Sequence, residues 1–242
     1  MSMNRSNNRA DDWIRPASFE LNFVKVAEGS VLAKFGDTHV LCNVTVDETL
    51  PSWLRNQPKM HGWLTAEYAL LPRSTQQRVR REQRWPKGRT QEISRLIGRS
   101  LRMAVDLNVL GLRQLIVDCD VIQADGGTRT TAISGGWLAV KLALEPLIAA
   151  GELPANVIRN QVAAISVGIV DGRPLLDLDY REDFAAEVDL NVVMTSSGDI
   201  VEIQGAAEKA PFSRDRLEEL VDLAALGCRQ VISAQNEALA TD

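Results

Sequence analysis

The chain has 242 residues, a net charge of −5 and 45% hydrophobic residues, a composition typical of a globular protein with one large domain or two fused halves. No continuous apolar run reaches the length of a membrane span, and the polar first dozen residues lack the apolar core of a secretory signal. The three cysteines form neither a CxxC motif nor a Cys/His cluster, which disfavours a zinc site and indicates a reduced, cytoplasmic setting.

The first part of the chain has the pattern of strands followed by a helix. We expect residues 1–12 to be a flexible N-terminal segment. Alternating polar and apolar residues over 19–46 predict a meander of antiparallel strands, and a short strand is predicted over 65–71. The period of residues 90–110 predicts an amphipathic helix that ends before Gly111.

A glycine turn between a strand and a helix is the most informative local motif. An apolar strand is predicted up to residue 124, and an apolar helix is predicted to continue to residue 150. Between them lies the sequence Asp125-Gly126-Gly127-Thr128-Arg129. Free backbone N–H groups at a helix N-terminus favour an anion, and an arginine supplies a bidentate fork for phosphate. There is no Walker A lysine, so the motif predicts a site for a small anion such as phosphate.

The second part of the chain repeats the order of strands and then a helix. Strands are predicted over 162–170, 175–178, 188–194 and 200–203, and a helix is predicted from residue 213 to about 238. We therefore predict an α+β protein with internal duplication, in which residues 13–242 form a single domain of two similar halves.

A strongly basic segment lies within this acidic chain. Residues 73–102 contain ten basic side chains against two acidic ones, a net +8 that leaves −13 for the rest of the chain. Nine of the ten are arginines, which suit phosphate and therefore favour a polyanion as partner. The alternative is a solvated face that is partly salt-bridged. The basic residues are Arg73, Arg78, Arg80, Arg81, Arg84, Lys87, Arg89, Arg95, Arg99 and Arg102.

Carboxylates cluster over residues 177–189. Asp189 opens an apolar strand, where an unpaired acid is costly, and Asp183 precedes it by six residues in what reads as a turn. The two acids could converge on one divalent cation, Mg²⁺ or Mn²⁺. Composition alone favours the alternative of a solvated acidic loop.

Several longer stretches together resemble one family. They are Ala27-Glu28-Gly29-Ser30-Val31-Leu32, Phe35-Gly36-Asp37-Thr38, Thr65-Ala66-Glu67-Tyr68, Leu71-Pro72-Arg73-Ser74-Thr75, Gly88-Arg89-Thr90, residues 115–129, and Asp189-Leu190-Asn191-Val192-Val193-Met194-Thr195. With these motifs the chain resembles the ribonuclease PH family of phosphate-dependent 3′ exoribonucleases, from Arg15-Pro16 to about residue 237.

The resemblance implies a fold, an activity and a set of site residues. It implies a duplicated βαβα-type fold with mixed and antiparallel sheets packed with helices, and a homohexamer built as a trimer of dimers. It implies a tRNA nucleotidyltransferase that uses inorganic phosphate to trim tRNA precursors and other RNA with a single-stranded 3′ end. The implied residues are Arg89, Gly127, Thr128 and Arg129 for phosphate, Asp183 and Asp189 for catalysis and for Mg²⁺ or Mn²⁺, and Arg73, Arg78 and Arg81 for RNA.

Two departures from the family pattern are visible. Leu190 stands where the family commonly has methionine, which is a near-isosteric change. Trp85-Pro86-Lys87 stands before Gly88 where the family often has a glycine pair. The alternatives to a phosphorolytic enzyme are a non-catalytic RNA-binding ring subunit, a metal-dependent hydrolytic nuclease and a small-molecule phosphate-binding enzyme. The retained arginines and acids disfavour the ring subunit, and the +8 segment disfavours the last.

Overall fold

The computed structural model describes residues 5–82 and 88–241. In these ranges it forms strands and α-helices. The elements are β1 (Ala17–Leu21), β2 (Gly29–Phe35), β3 (Thr38–Asp47), α1 (Ser52–Arg55), β4 (Trp63–Leu70), α2 (Gly88–Arg102), β5 (Gln114–Gln123), α3 (Thr128–Ala149), β6 (Val162–Val170), β7 (Arg173–Leu176), α4 (Tyr180–Ala185), β8 (Val188–Thr195), β9 (Ile200–Ala207) and α5 (Arg214–Ala240).

The first half of the chain builds a five-stranded mixed sheet in the order β1-β2-β3-β5-β4. The first four of these strands pair antiparallel, and β4 pairs parallel to β5 because α2 carries the chain back across the sheet. β4 and β5 therefore end at the same edge. The basic loop that follows β4 and the glycine turn that follows β5 meet there, where the amide of Ala124 donates to the carbonyl of Ser74 (2.8 Å).

The second half builds a four-stranded antiparallel sheet in the order β7-β6-β8-β9. β6 and β7 form a hairpin at Asp171-Gly172, and both residues have the positive φ of a type I′ turn (50° and 72°). The long helix α3 packs against β2 and β3 of the first sheet and against β6 and β8 of the second. Its position gives the two halves one continuous hydrophobic core.

Helix α3 is buried over most of its length. Among the described residues it is the one helix that is long and apolar enough to cross a membrane by length and composition, although the sequence shows no continuous apolar run of that length. Its residues from Thr130 to Leu144 are buried among the two sheets apart from Lys141. The apolar composition of α3 is therefore explained by the core of a folded protein.

The α+β class with mixed and antiparallel sheets is confirmed. A sheet followed by a long helix occurs in both halves. In the second half the short helix α4 joins β7 to β8, which run parallel to each other on either side of β6. The prediction of one helix over 90–110 is wrong at both ends, since α2 begins at Gly88 and stops at Arg102. The chain then turns, and Val105 forms an isolated bridge with Ile158. The description of residues 13–242 as a single domain stays a prediction.

The N-terminal segment differs from the flexible segment expected from the sequence. Arg5 donates from Nε to Glu182 Oε1 (2.8 Å), and Arg9 donates from Nη1 to Asp177 Oδ2 (2.9 Å). These side chains are almost fully buried. Ion pairs between residues far apart in sequence therefore hold residues 5–12 against α4 and the residues before it. The local composition of residues 5–12 does not reveal these ion pairs. Residues 1–4 lie outside the described part of the chain.

Candidate active site

The glycine turn requires two glycines because of its backbone and its neighbours. Gly126 and Gly127 both have left-handed φ angles, 74° and 63°. A Cβ at Gly126 would lie 2.5 Å from the carbonyl oxygen of Leu178, so the turn packs directly on the chain that leads into α4. The backbone amide of Tyr180, the first residue of α4, donates to Asp125 Oδ1 (3.3 Å). The predicted anion site and the acid-bearing helix are therefore joined.

Arg15 and Thr38 fix the carbonyl groups of the turn. Arg15 donates from Nη1 to the carbonyl of Asp125 and from Nη2 to that of Gly126 (3.4 Å). The hydroxyl of Thr38 donates to the Gly126 carbonyl (2.6 Å) and accepts from the Asp125 amide (2.9 Å). With its carbonyls held in this way, the turn is a rigid entry into α3.

Arg15 is itself held by a buried carboxylate. Asp177 accepts from the backbone amide of Arg15 (2.7 Å), from its Nε (2.9 Å) and from its Nη2 (2.7 Å). Burial raises the pKa of Asp177, but the charges and hydrogen bonds of Arg15 and Arg9 outweigh this and hold that pKa below its ordinary value. This ion pair therefore links the N-terminal segment, the glycine turn and the start of α4.

The first turn of α3 presents donors beside the glycine turn. The first backbone bond within the helix runs from the Thr131 amide to the Gly127 carbonyl (3.0 Å), so the amides of the three preceding residues lack an intrahelical partner. The Thr128 hydroxyl lies 2.8 Å from the Tyr68 hydroxyl, which β4 supplies. These donors and the positive end of the helix dipole suit an anion.

Two side chains from other elements position the guanidinium of Arg129. Arg129 Nη1 donates to Gln204 Oε1 on β9 (2.9 Å) and lies 3.4 Å from Glu92 Oε1 on α2. Gln204 Nε2 in turn donates to the same Glu92 oxygen (2.8 Å). This triangle brings the second half of the chain to the anion site. Sequence patterns give no signal for it, because its members are more than 35 residues apart.

The charges of the two predicted phosphate-binding arginines act on the pKa values of both predicted acids. Burial, and after it the charge of Asp183, raise the pKa of Asp189 to about 6, although the charges of Arg129 and Arg89 lower it. Burial also raises the pKa of Asp183, against the opposing charges of Arg89 and Arg129. Glu208 raises the pKa of both acids, and sequence analysis missed it. The structure thus brings Arg89, Arg129, Asp183 and Asp189 together, with Asp183 on a helix rather than in the expected turn.

The acids suit an open metal site better than a closed one. Over the described ranges, no group of three or more His, Cys, Asp or Glu side chains could hold a metal ion. Mg²⁺, however, is commonly bound through one or two carboxylates, with water and substrate phosphates as the other ligands. Two partly buried carboxylates beside an anion site, of which Asp183 raises the pKa of Asp189, fit this second arrangement.

The basic loop lies at the edge of the same site. Arg73, Arg78 and Arg81 are exposed on the segment that follows β4. The charge of Arg81 lowers the pKa of Asp120, which burial raises, so this arginine lies near β5. The Trp85-Pro86-Lys87 departure lies outside the described residues. The three predicted RNA-contacting arginines are thus accessible, and their role stays a prediction.

Comparison with known proteins places the chain in a family. The model of the 3′ exoribonuclease family, domain 1, matches residues 13–146, and the model of domain 2 of the same family matches residues 160–226. The residues between the two matches, 147–159, run from the last turn of α3 to just before β6.

Relatives and solved structures agree with this assignment. The chain is 52% identical to the ribonuclease PH of Crocosphaera subtropica and 53% identical to that of a Cyanothece species, each over 99% of both chains. In fold it is similar to rice (Oryza sativa) Rrp46, with a TM-score of 0.77 at 17% identity over 96% of this chain and 98% of that one. It is also similar to a chain of the Archaeoglobus fulgidus exosome with RNA bound to its active site, with a TM-score of 0.79 at 22% identity over 95% and 92% of the two chains. The chain therefore belongs to the 3′ exoribonuclease family, and within it to the ribonuclease PH group.

Proposed function

We infer that this chain is a phosphorolytic 3′-to-5′ exoribonuclease. The observation that carries this inference is the meeting of an anion-binding turn, two arginines and two carboxylates at one edge of the first sheet. The full-length similarity to proteins named ribonuclease PH supports the same activity.

The reaction transfers a nucleotide from RNA to inorganic phosphate. An oxygen of phosphate attacks the phosphorus of the last internucleotide bond, and the bond from that phosphorus to the 3′ oxygen of the preceding nucleotide breaks. The products are a nucleoside diphosphate and an RNA that is one nucleotide shorter. Because one phosphoester bond is exchanged for a phosphoanhydride bond of the product, the reverse reaction, nucleotide addition, is expected as well.

The anion site binds and aligns the attacking phosphate. Arg89 and Arg129 supply positive charge, and the backbone at Gly127 and Thr128 supplies N–H donors. Glu92 and Gln204 fix the direction of the Arg129 guanidinium, so little reorganisation is needed when phosphate binds. The leaving 3′ oxygen takes up a proton as its bond to phosphorus breaks.

Asp183 and Asp189 are the residues that would hold Mg²⁺ or Mn²⁺. When bound, the ion would offset the negative charge that gathers on the transferred phosphorus and on the leaving oxygen. The inference of a metal rests on the chemistry of this donor pair, which suits a cation completed by substrate phosphates.

The substrate class follows from the surface beside the site. The exposed arginines Arg73, Arg78 and Arg81 suit the RNA backbone, which carries no sequence code, so a single-stranded 3′ end of any sequence is expected to bind. We propose tRNA precursors as substrates, a homohexamer of three dimers as the assembly, and the cytoplasm as the compartment. The family membership and the reduced, buried cysteines support these assignments.

The test uses a tRNA carrying a short single-stranded 3′ tail. The wild-type protein is incubated with Mg²⁺, with and without inorganic phosphate, and the released nucleotides are separated by chromatography. We expect nucleoside diphosphates when phosphate is present and no trimming without it. Nucleoside monophosphates released without phosphate would identify a hydrolytic nuclease. Binding without release in either condition would identify a non-catalytic ring subunit.

A further inference from the structure

Helix α4 carries two exposed aromatic side chains on its outer face. Tyr180 is 55% exposed, and Phe184 is 81% exposed. The two residues are four apart on the helix, and their ring centroids lie 6.3 Å apart with the planes tilted by 33°. Single exposed apolar residues need no explanation, but this pair forms a small continuous apolar surface on a helix of six residues.

The pair lies next to the predicted catalytic acid. At about 100° per residue, Asp183 is rotated by about 60° from Tyr180 and by about 100° from Phe184 around the helix. Glu182 points away from the pair, because it is buried against Arg5 and Arg9. The outer face of α4 therefore presents the acid and the aromatic surface side by side.

The pair also begins at the anion site. The amide of Tyr180 donates to Asp125 (3.3 Å), and a Cβ at Gly126 would lie 2.9 Å from that same amide nitrogen. The capping box of α4, in which Asp179 and Glu182 bond each other's backbone amides, fixes the direction in which the helix leaves the glycine turn. The aromatic surface is thus held at a set position from the glycine turn.

We propose that Tyr180 and Phe184 form a stacking platform for the bases at the 3′ end of single-stranded RNA. Aromatic rings accept any base on their faces, so the platform holds the end of the strand without reading its sequence. Stacking there places the last internucleotide phosphorus between Asp183 and the glycine turn. This proposal rests on the proposed function and names the contact that holds the reacting end.

The test measures binding of RNA in the absence of phosphate, so that it does not depend on turnover. The RNA is a short oligonucleotide with an unpaired 3′ end, and a matched oligonucleotide lacks the bases of its last two nucleotides. We expect Phe184→Ala and Tyr180→Ala each to weaken binding of the intact RNA by about tenfold. Neither substitution should change binding of the abasic RNA, since the contact is already lost. Phe184→Trp should retain wild-type affinity.

The control is Phe23→Ala, which removes an exposed phenylalanine (43% exposed) beyond the end of β1, away from the edge that bears the glycine turn. It should bind both RNAs as the wild type does. An equal loss on intact and abasic RNA, or no loss on either, would overturn the platform. Sedimentation of the same variants tests whether another subunit, rather than RNA, covers the aromatic pair. A change of assembly in Phe184→Ala would make the pair a contact between subunits.

The platform and the proposed function fail in different ways. If the wild type releases no nucleoside diphosphate from any RNA, the proposed function fails. If the wild type trims RNA with phosphate but the variants bind both RNAs as it does, only the platform fails. The KM for phosphate should stay unchanged in both alanine variants, because the platform contacts the RNA and not the phosphate.

Discussion

Asp177→Asn should destabilise the protein strongly, because it removes the main counterion of the buried Arg15, whose other ion pair, with Asp125, is longer (3.8 Å). The Asp177 side chain is fully buried and that of Arg15 is 5% exposed. Removing one partner of a buried ion pair costs about 3–5 kcal/mol. For a chain of this size each kcal/mol lowers Tm by about 2–4 °C, so we expect a decrease of roughly 6–20 °C.

The assay is thermal unfolding at a fixed protein concentration near pH 7. The control is Glu20→Gln, which removes an exposed ion pair with Lys34 (3.6 Å) worth about 0–1 kcal/mol. A decrease in Tm at Asp177→Asn no larger than that of the control would refute the reasoning. Since Arg15 also holds the carbonyls of Asp125 and Gly126, the KM for phosphate should rise in the Asp177 variant and stay unchanged in the control.

The same ion pair predicts the sign of a pH dependence. Because the folded protein holds the pKa of Asp177 below its ordinary value of 3.8, the unfolded chain takes up its proton first as pH falls. The stabilisation is therefore fully present above the ordinary pKa and is lost as pH falls through the lowered one. The difference in Tm between the wild type and Asp177→Asn should be constant from pH 5 to 8 and shrink only below about pH 4.

Four further predictions concern the site itself. Arg129→Ala should lose a charge-assisted contact with phosphate of about 1.5–3 kcal/mol. The KM for phosphate should rise by roughly 10- to 150-fold, or turnover should be lost, while RNA binding stays unchanged. Normal phosphate kinetics would remove this residue from the anion site. Asp183→Asn and Asp189→Asn should each abolish most turnover and weaken the Mg²⁺ dependence, and full activity in either would exclude that acid from the mechanism. Because its raised pKa makes an ionised Asp189 costly, Asp189→Asn should also raise Tm relative to the wild type without metal, increasingly from pH 4 to 6 and fully above it. Reversing Arg78 and Arg81 to Glu should flatten the salt dependence of RNA binding by roughly 0.7 log–log units per lost contact; an unchanged slope with a dissociated ring would make the loop an assembly element.

A strand could be predicted from the sequence where all its side chains are buried and the residues that flank it are polar. β6 is buried at every position and lies between Gln161 and Asp171, so its predicted bounds of 162–170 are the observed ones. The predicted helix ran past the end of α2 because Ala104 and Val105 keep the apolar spacing that Leu101 sets. Both are buried in the core, but Ala104 lies in a turn and Val105 in an isolated bridge. The spacing of apolar residues shows which side chains are buried, and here the buried side chains continue beyond the end of the helix.

The site was predictable where its signal is local. The glycine turn is contiguous in sequence, and its two glycines have the positive φ that such a turn requires. Helix α4 is too short for an apolar period, although Asp179 and Glu182 have the spacing of a capping box, which could have revealed it. The pair of Arg15 and Asp177 spans 162 residues. No local sequence pattern connects such partners, so this part of the site could be identified only from the three-dimensional structure.

The most direct test of the account follows the phosphorus of labelled inorganic phosphate. The wild-type protein is incubated with a 3′-tailed RNA, Mg²⁺ and phosphate that carries a radioactive phosphorus, and the released nucleotides are separated and degraded to locate the label. If phosphate is the nucleophile at the Arg129 site, the label appears in the β-phosphate of nucleoside diphosphates, and Arg129→Ala loses it. Trimming that releases unlabelled nucleoside monophosphates would contradict the account.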